Sequence, residues 1–405
     1  MNGMTLAWRY LWSRPLAAAL NLLLLSLGLA AMGLVLLAQD RIEHAFERDL
    51  AGIDAVVGAK GSPMQLMLSG VFHIDTPTGN VALADVRGLA QQPQIAEVIP
   101  MSVGDNLMGW RIVGTTPGYA AHYGTGLAQG RWWAAPMEAV LGASVAKNLG
   151  VKVGQSFNGA HGLGVGGSEH GDTPYTVVGQ LQACGCVLDR LILTDLSSVW
   201  NVHEGLRPGE FESLSMVDRQ ALEAEREVTM ALVRYASPMA ATRFPRFVNT
   251  QTPMQAAVPA LEVARLLEMV SVATRLVQGL GLVLLGVAGL SVFIALWNAV
   301  RERSADMALL RLLGAPPIRV GWVVLLEALW LAVLAALLGL FLAQGLAALM
   351  SNWWSVDTGW AVTSAVWPPV LWAVPGAALI VALTAAAVPV ISAYRADVAE
   401  LLTSR

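Results

Sequence analysis

The residues of this chain best suited to chemistry are few and widely separated. Cys184-Gly185-Cys186 puts two sulfurs on one tight turn; His161 and His170 precede it in a Gly-rich stretch and His203 follows shortly after. Two thiolates plus an imidazole suit Zn²⁺ or Cu(I). The spacing is not the usual C-x₂-C, and small residues in an ordinary turn, or thiols oxidised by an extracytoplasmic compartment, are the competing readings. The two cysteines are too few for a disulfide framework and too close in sequence for an ordinary bridge. Glu327 is a lone carboxylate near the start of a long apolar run, a placement that suggests a functional site by default. Local pairing with Arg319, or with an arginine of the segment just upstream, is the structural alternative and the favoured one. The three lysines, Lys60, Lys147 and Lys152, lie outside any G-x-x-x-x-G-K-[ST] pattern, so nucleotide hydrolysis is not expected of these residues. Gly58-Ala59-Lys60-Gly61-Ser62 resembles that pattern only superficially. The expectation is a chain with no catalytic residues that is not itself an enzyme.

The elements around these residues point to a membrane. Of 405 residues, 55% are hydrophobic and 13% charged, about half the charged share of an average soluble domain. A net charge of −4 leaves no basic footprint for nucleic acid. Apolar residues concentrate in Leu16–Ala38, Leu276–Val300, Val320–Met350 and Val366–Ser392, each long enough to cross a hydrocarbon core. The first run exceeds the h-region of a signal peptide, and Leu36 spoils a small-x-small cleavage site, so an uncleaved span is expected. Arg9 and Arg14 precede the first run. Arg301, Arg303, Arg311 and Arg319 lie between the second and third, and Arg395 and Arg405 follow the fourth. The loop between the third and fourth has no Lys or Arg. The positive-inside rule then places both termini in the cytoplasm, with Trp353, Trp354, Trp360 and Trp367 as an outer aromatic belt.

Residues 39–270 have ordinary globular composition. Short strand signals, DAVVGAKG, AEVIPMSV, WRIVGTT, YTVVGQL and RLILTD, alternate with helical patterns at Ala82–Gln91 and Glu210–Ser237, which predicts an α+β domain with mixed sheets. Asn158–Pro174 is a Gly-rich loop. Ile42, Phe46 and Leu50 recur at i, i+4, i+8 among charges, and Leu261, Leu266, Leu267 and Val270 interleave with Glu262, Arg265 and Glu268. Both patterns predict amphipathic helices continuing the first two spans as a stalk.

Between the second and third spans lies RERSADMALLRLLGAPPIRV, Arg301–Val320. Met307, Leu310 and Leu313 fall at i, i+3, i+6, giving one apolar face while Arg303, Asp306 and Arg311 stay wet. Gly314 stops the helix ahead of Pro316 and Pro317. A short amphipathic helix here can dock into a groove on a cytoplasmic partner. The segment resembles the R-E-x-A-x-L-R-A-L-G-A pattern of MacB/FtsX/LolC-class ABC permeases. Ala308, Leu310, Arg311, Leu313, Gly314 and Ala315 match it, Asp306 stands where the family usually has Glu, and Leu312 replaces a small residue. Glu327 matches a family Glu, and WRYLWSRPLAAALNLLLLSLG resembles the family's opening.

The resemblance implies an α-helical membrane protein with four transmembrane helices and a large α+β extracytoplasmic domain between the first and second. The order expected is an interfacial helix at 1–15, spans at 16–38, 271–300, 320–350 and 366–392, the outer domain at 39–270, a coupling helix and loop at 301–319, an outer loop at 351–365 and a tail at 393–405. It also implies a homodimer or paired permease in a bacterial inner membrane, with a separate cytoplasmic ABC ATPase holding ATP and Mg²⁺. By mechanotransmission, that ATPase would drive export or extraction of a lipoprotein, lipid, peptide or small toxic molecule, with an adaptor or lipoprotein as a further partner. The ATPase-coupling residues expected are Asp306, Met307, Leu310, Arg311, Leu313 and Gly314. An FtsX-like scaffold activating a cell-wall hydrolase, and metal-linked envelope transport, are the alternatives.

Overall fold

The protein was analysed as a computed structural model, which describes residues 3–162, 173–204, 210–312, 314–358 and 367–395. It divides into two compact units, one of Met1–Glu43 with Met269–Arg405 and one of His44–Glu268.

Among the described residues the first unit is helical, and four of its helices are long and apolar enough to cross a membrane: Pro15–Leu50, Thr274–Glu302, Pro317–Met350 and Pro369–Arg395. The first is itself an uninterrupted helix that includes its amphipathic flank, and the second belongs to the longer helix Pro259–Glu302. The fourth is described from Pro369, where a short turn follows the extended Pro368 at φ −70°, ψ 141°; its expected first residue, Val366, lies outside the described residues. Small residues let the spans approach one another. A Cβ on Gly339 would meet Leu29 Cβ at 2.9 Å and Ser26 O at 3.1 Å, so the first and third spans touch almost backbone to backbone. Ser291 Oγ donates to Asn21 Oδ1 at 2.6 Å, satisfying a buried amide between the first two spans. A short helix, Gly3–Leu11, precedes the first span and buries Ala7 and Leu11.

The second unit is the α+β domain. Its main sheet has 11 strands, with central order Met254–Ala257, Ala55–Ala59, Met230–Tyr235, Ile95–Leu107, Trp110–Thr115, Leu191–Asp195, Glu138–Leu141, Tyr175–Leu181 and Leu127–Gly130. The five strand signals of the sequence all lie in it. Ile95–Leu107 belongs to both halves of the sheet. Its first half pairs antiparallel with Met230–Tyr235, and its second, after an irregularity between Val103 and Asp105, with Trp110–Thr115. Two lobes with separate cores result. Leu83, Val86, Phe244 and Val248 cover one half of the sheet, while Met137, Val145, Phe157 and Tyr175 pack in the other.

Two expectations change here. The helical pattern of Glu210–Ser237 ends at Glu225, and Met230–Tyr235 becomes an inner strand whose first four residues are fully buried. Two-sided burial rewards the continuous apolar run MALV as a strand, and periodicity alone does not separate that from a buried helix. In the stalk-like segment before the second span, Leu261 is 59% exposed while Glu262 is 6% exposed and pairs with Arg265 at 2.8 Å, the reverse of the expected polarity.

Candidate functional site

The helix between the second and third spans runs Ser304–Leu312, and Gly314 ends it at φ 91°, a left-handed conformation that glycine adopts without a Cβ penalty. Of the apolar stripe read in the sequence, Met307 is the one member whose side chain is described. Met307 is 8% exposed and belongs to the buried core of the membrane unit. Leu309 and Leu312 are 57% and 59% exposed, and Asp306 is exposed too. Among the described side chains, the exposed ones are Asp306, Leu309 and Leu312, again at i, i+3, i+6, and Met307 is buried away from them. Leu310 lies within the helix, Arg311 is half-buried near its end, and Leu313 lies outside the described residues. The segment has apolar residues at 307, 309, 310, 312 and 313, so apolar side chains fall on more than one face and periodicity alone does not say which is outward.

Arg303, expected to be wet, is not. Its guanidinium lies 3.2 Å from the Glu327 carboxylate, with side chains 14% and 9% exposed. It also donates to Tyr10 O at 2.8 Å and Ser13 Oγ at 2.7 Å, and sits 4.3 Å from the centre of the Tyr10 ring. One side chain thus ties the coupling segment to the third span and to the N-terminal helix. The fork geometry of arginine, with several donors in one plane, suits it to three acceptors at once. Arg14 pairs with Glu302 beside it. These groups border a cavity of about 250 Å³ lined in part by Asn21, Ser291 and Asn298. Glu327 is thus locally paired, with an arginine of the coupling segment and not with Arg319. Tyr10 and Ser13 escaped the sequence reading because backbone and hydroxyl acceptors carry no charge signal.

The expectation that Cys184 and Cys186 are too close in sequence to bridge is corrected. Cys184 and Cys186 form a disulfide across a Cα–Cα distance of 5.1 Å. The pair is close in sequence but not too close to bridge. Gly185 at φ 66° turns the chain so that the two Cα atoms fall within the usual disulfide range. Bridged sulfurs are not thiolates, so they do not offer the ligands a soft metal needs. His161 sits elsewhere on the fold, with Nδ1 3.4 Å from Asp105 Oδ1 and its ring 5.3 Å from that of His203, while His170 lies outside the described residues. Among the described residues, no group of three or more His, Cys, Asp or Glu could hold a metal ion.

The turn has another role. Asp189 gathers the N–H groups of Cys184 at 3.0 Å and Gly185 at 2.7 Å, and the N–H of Val187 donates to Asp49 Oδ1 at 3.1 Å. Asp49 is 4% exposed and lies in the last turn of the helix that begins at Pro15. Tyr123 Oη donates to Asp49 O at 2.8 Å, His122 Nε2 lies 2.9 Å from Ala51 O, and Phe46 packs edge-on against Phe72 at 4.9 Å. Beside this grip His73 is fully buried, 3.1 Å from Tyr119 Oη. Burial, reinforced by Arg111 and Arg190, pushes its imidazole down to about 3, so it stays neutral.

Four candidate spans with an α+β domain inserted between the first and second define a multi-span membrane protein. Residues 279–398 match the family model of the FtsX-like permease C-terminal region, and residues 18–201 match that of the MacB-like periplasmic core domain. The chain is an ABC-transporter permease of the FtsX/MacB type. That family is a membrane transport subunit, not itself an enzyme, and implies a partner ABC ATPase. The four apolar helices together with the family fit a bacterial inner-membrane protein. No curated protein matches the chain. Among solved structures, the periplasmic region of MacB from Actinobacillus actinomycetemcomitans is similar at 14% identity and TM-score 0.35, over 54% of this chain and 95% of that one. The extracellular domain of the noncanonic ABC-type transporter YknZ from Gram-positive bacteria is similar at 12% identity and TM-score 0.30, over 50% of this chain and 98% of that one.

Proposed function

We propose that this permease works by mechanotransmission, with both termini cytoplasmic and its α+β domain on the far side of the membrane. A partner ATPase, holding ATP and Mg²⁺, docks on the face formed by Asp306, Leu309 and Leu312. Closure of the ATPase displaces that helix, and Arg303 passes the displacement to Glu327 in the third span and to Tyr10 and Ser13 at the N-terminal helix. The continuous helices Pro15–Leu50 and Pro259–Glu302 carry it onward to the domain. The chain acts as a homodimer or paired with a related permease. The domain then expels or extracts an envelope substrate, of the lipoprotein, lipid, peptide or small toxic class, with an adaptor or lipoprotein partner receiving it. The observation that carries this reading is the Arg303 junction, because a merely solvated loop has no reason to bury a guanidinium against a carboxylate and two acceptors.

The test is affinity purification of the tagged permease from native membranes. Leu309→Asp is expected to abolish recovery of the ATPase, since an unpaired carboxylate in an apolar groove costs several kcal/mol. Met307→Ala is expected to lower permease stability while leaving recovery intact in whatever protein remains folded. Unchanged recovery with Leu309→Asp in a normally folded permease would refute the docking face.

A further inference from the structure

The two cysteines have no place in the transmission path just described, yet the turn they form holds the end of its first helix. Cys186 is 6% exposed and directly precedes Val187, whose N–H is bound by the Asp49 carboxylate. Cys184 is half-exposed, and Gly185, at the tip, is exposed. A Cβ on Gly185 would lie 3.4 Å from an Arg48 guanidinium nitrogen, so the turn packs directly on the last turn of the Pro15–Leu50 helix. Arg48 and Arg190 supply positive charge to Asp49, and Asp189 gathers the turn's own N–H groups. Val187, Asp189 and Arg190 all lie within four residues of Cys186 in the chain.

We infer that Cys184–Cys186 is a reducible site, and that its redox state sets how firmly the Asp49 end of this helix is held. The reductant is a dithiol. Its thiolate attacks Sγ of Cys184, the more exposed of the two residues, and the S–S bond breaks with Cys186 leaving as thiolate and taking a proton. The second thiol of the reductant then attacks the mixed disulfide, releasing Cys184 and completing the reductant's own disulfide. Two electrons and two protons pass to the permease, and the reductant loses the same. The reduced form has a ready acceptor, because Cys184 Sγ lies 3.5 Å from Asp189 Oδ1; bridged, it has no hydrogen to donate, and reduced, its thiol does. Without the bridge, the turn regains backbone freedom and the Val187 N–H no longer has a fixed position over Asp49. The inference stands independently of the ATPase, because the grip lies wholly within the α+β domain.

The experiment uses the full chain in lipid nanodiscs, equilibrated across a series of reduced-to-oxidised dithiothreitol ratios. Thiols are counted by maleimide adducts and mass spectrometry, and amide hydrogen exchange is followed on the same samples. Two adducts are expected to appear together in one two-electron step. With them, exchange at residues 46–53 and 184–190 is expected to accelerate by about tenfold, the scale of losing one charge-assisted hydrogen bond, while the inner strand at 110–115 stays unchanged. The Cys184→Ser, Cys186→Ser double variant should exchange at the fast rate in every buffer. Two adducts with unaltered exchange at 46–53, a double variant that exchanges like the oxidised wild type, or no adducts in excess dithiothreitol would each overturn the proposal.

Discussion

Replacing Arg303 by alanine removes more than one interaction, and the structure says how much should follow. The guanidinium neutralises the Glu327 carboxylate at 3.2 Å, in a pair whose side chains are 14% and 9% exposed. Breaking a buried pair from one side costs about 3–5 kcal/mol, chiefly because the remaining charge has lost its partner. The Tyr10 O and Ser13 Oγ bonds and the Tyr10 ring contact go with it, adding about 1–2 kcal/mol. Glu327→Gln is a milder change, because the amide oxygen still accepts from Arg303 while the other three contacts survive; about 1–2 kcal/mol is expected. With both replaced, no buried charge remains, so the double variant should be about 2 kcal/mol less destabilised than the sum of the singles. Unfolding titrations of the purified permease in mixed detergent micelles would give the four free energies. If Glu327→Gln proves as damaging as Arg303→Ala, or if the cycle shows coupling below about 0.5 kcal/mol, Arg303 is not the junction that it is taken to be.

Three further outcomes are expected. A Lys147→Cys probe on a background with Cys184 and Cys186 replaced by serine should react with a membrane-impermeant maleimide in intact spheroplasts; reaction only after lysis would reverse the topology. His73, neutral because burial holds it at about 3 against an unfolded value near 6.5, contributes stability that is complete above about pH 6.5 and falls by up to roughly 1.4 kcal/mol per unit as pH drops toward 3. Thermal unfolding of the full chain between pH 7.5 and 4.5 should show this loss, and His73→Asn, which tolerates the positive φ of 52° at that position, should flatten it. Oxidised permease should take up no more Zn²⁺ than the Cys184→Ser, Cys186→Ser variant by elemental analysis; an excess near one ion per chain would reinstate the metal site.

The spans and the inserted domain were legible because their signals are additive along the chain. Each run such as Leu276–Val300 collects enough consecutive apolar side chains to declare itself without reference to any neighbour, and the strand signals are bounded by their own Gly and Pro. The junction was only half legible. Glu327 stood out as a carboxylate in an apolar run, but its partner was one of several nearby arginines, and the sequence assigned Arg303 to water. Likewise the helix Ser304–Leu312 could be located from Gly314 and the prolines, while its outward face could not.

Sequence by itself determined where the chain must cross a membrane, that an α+β domain follows the first span, and that a short amphipathic helix joins the second and third. Those are one-dimensional properties, set by length, period and composition. Only the tertiary structure decided which side of that helix is spent inside the permease, burying Met307 and leaving Leu309 and Leu312 exposed. It alone joined Arg303 to Glu327 across 24 residues and to Tyr10 across 293, and set the Cys184–Cys186 turn on Asp49 from 138 residues away. The physical reason is the same in each case. Burial and pairing depend on what a side chain meets, and partners so distant in sequence leave no periodic trace in it.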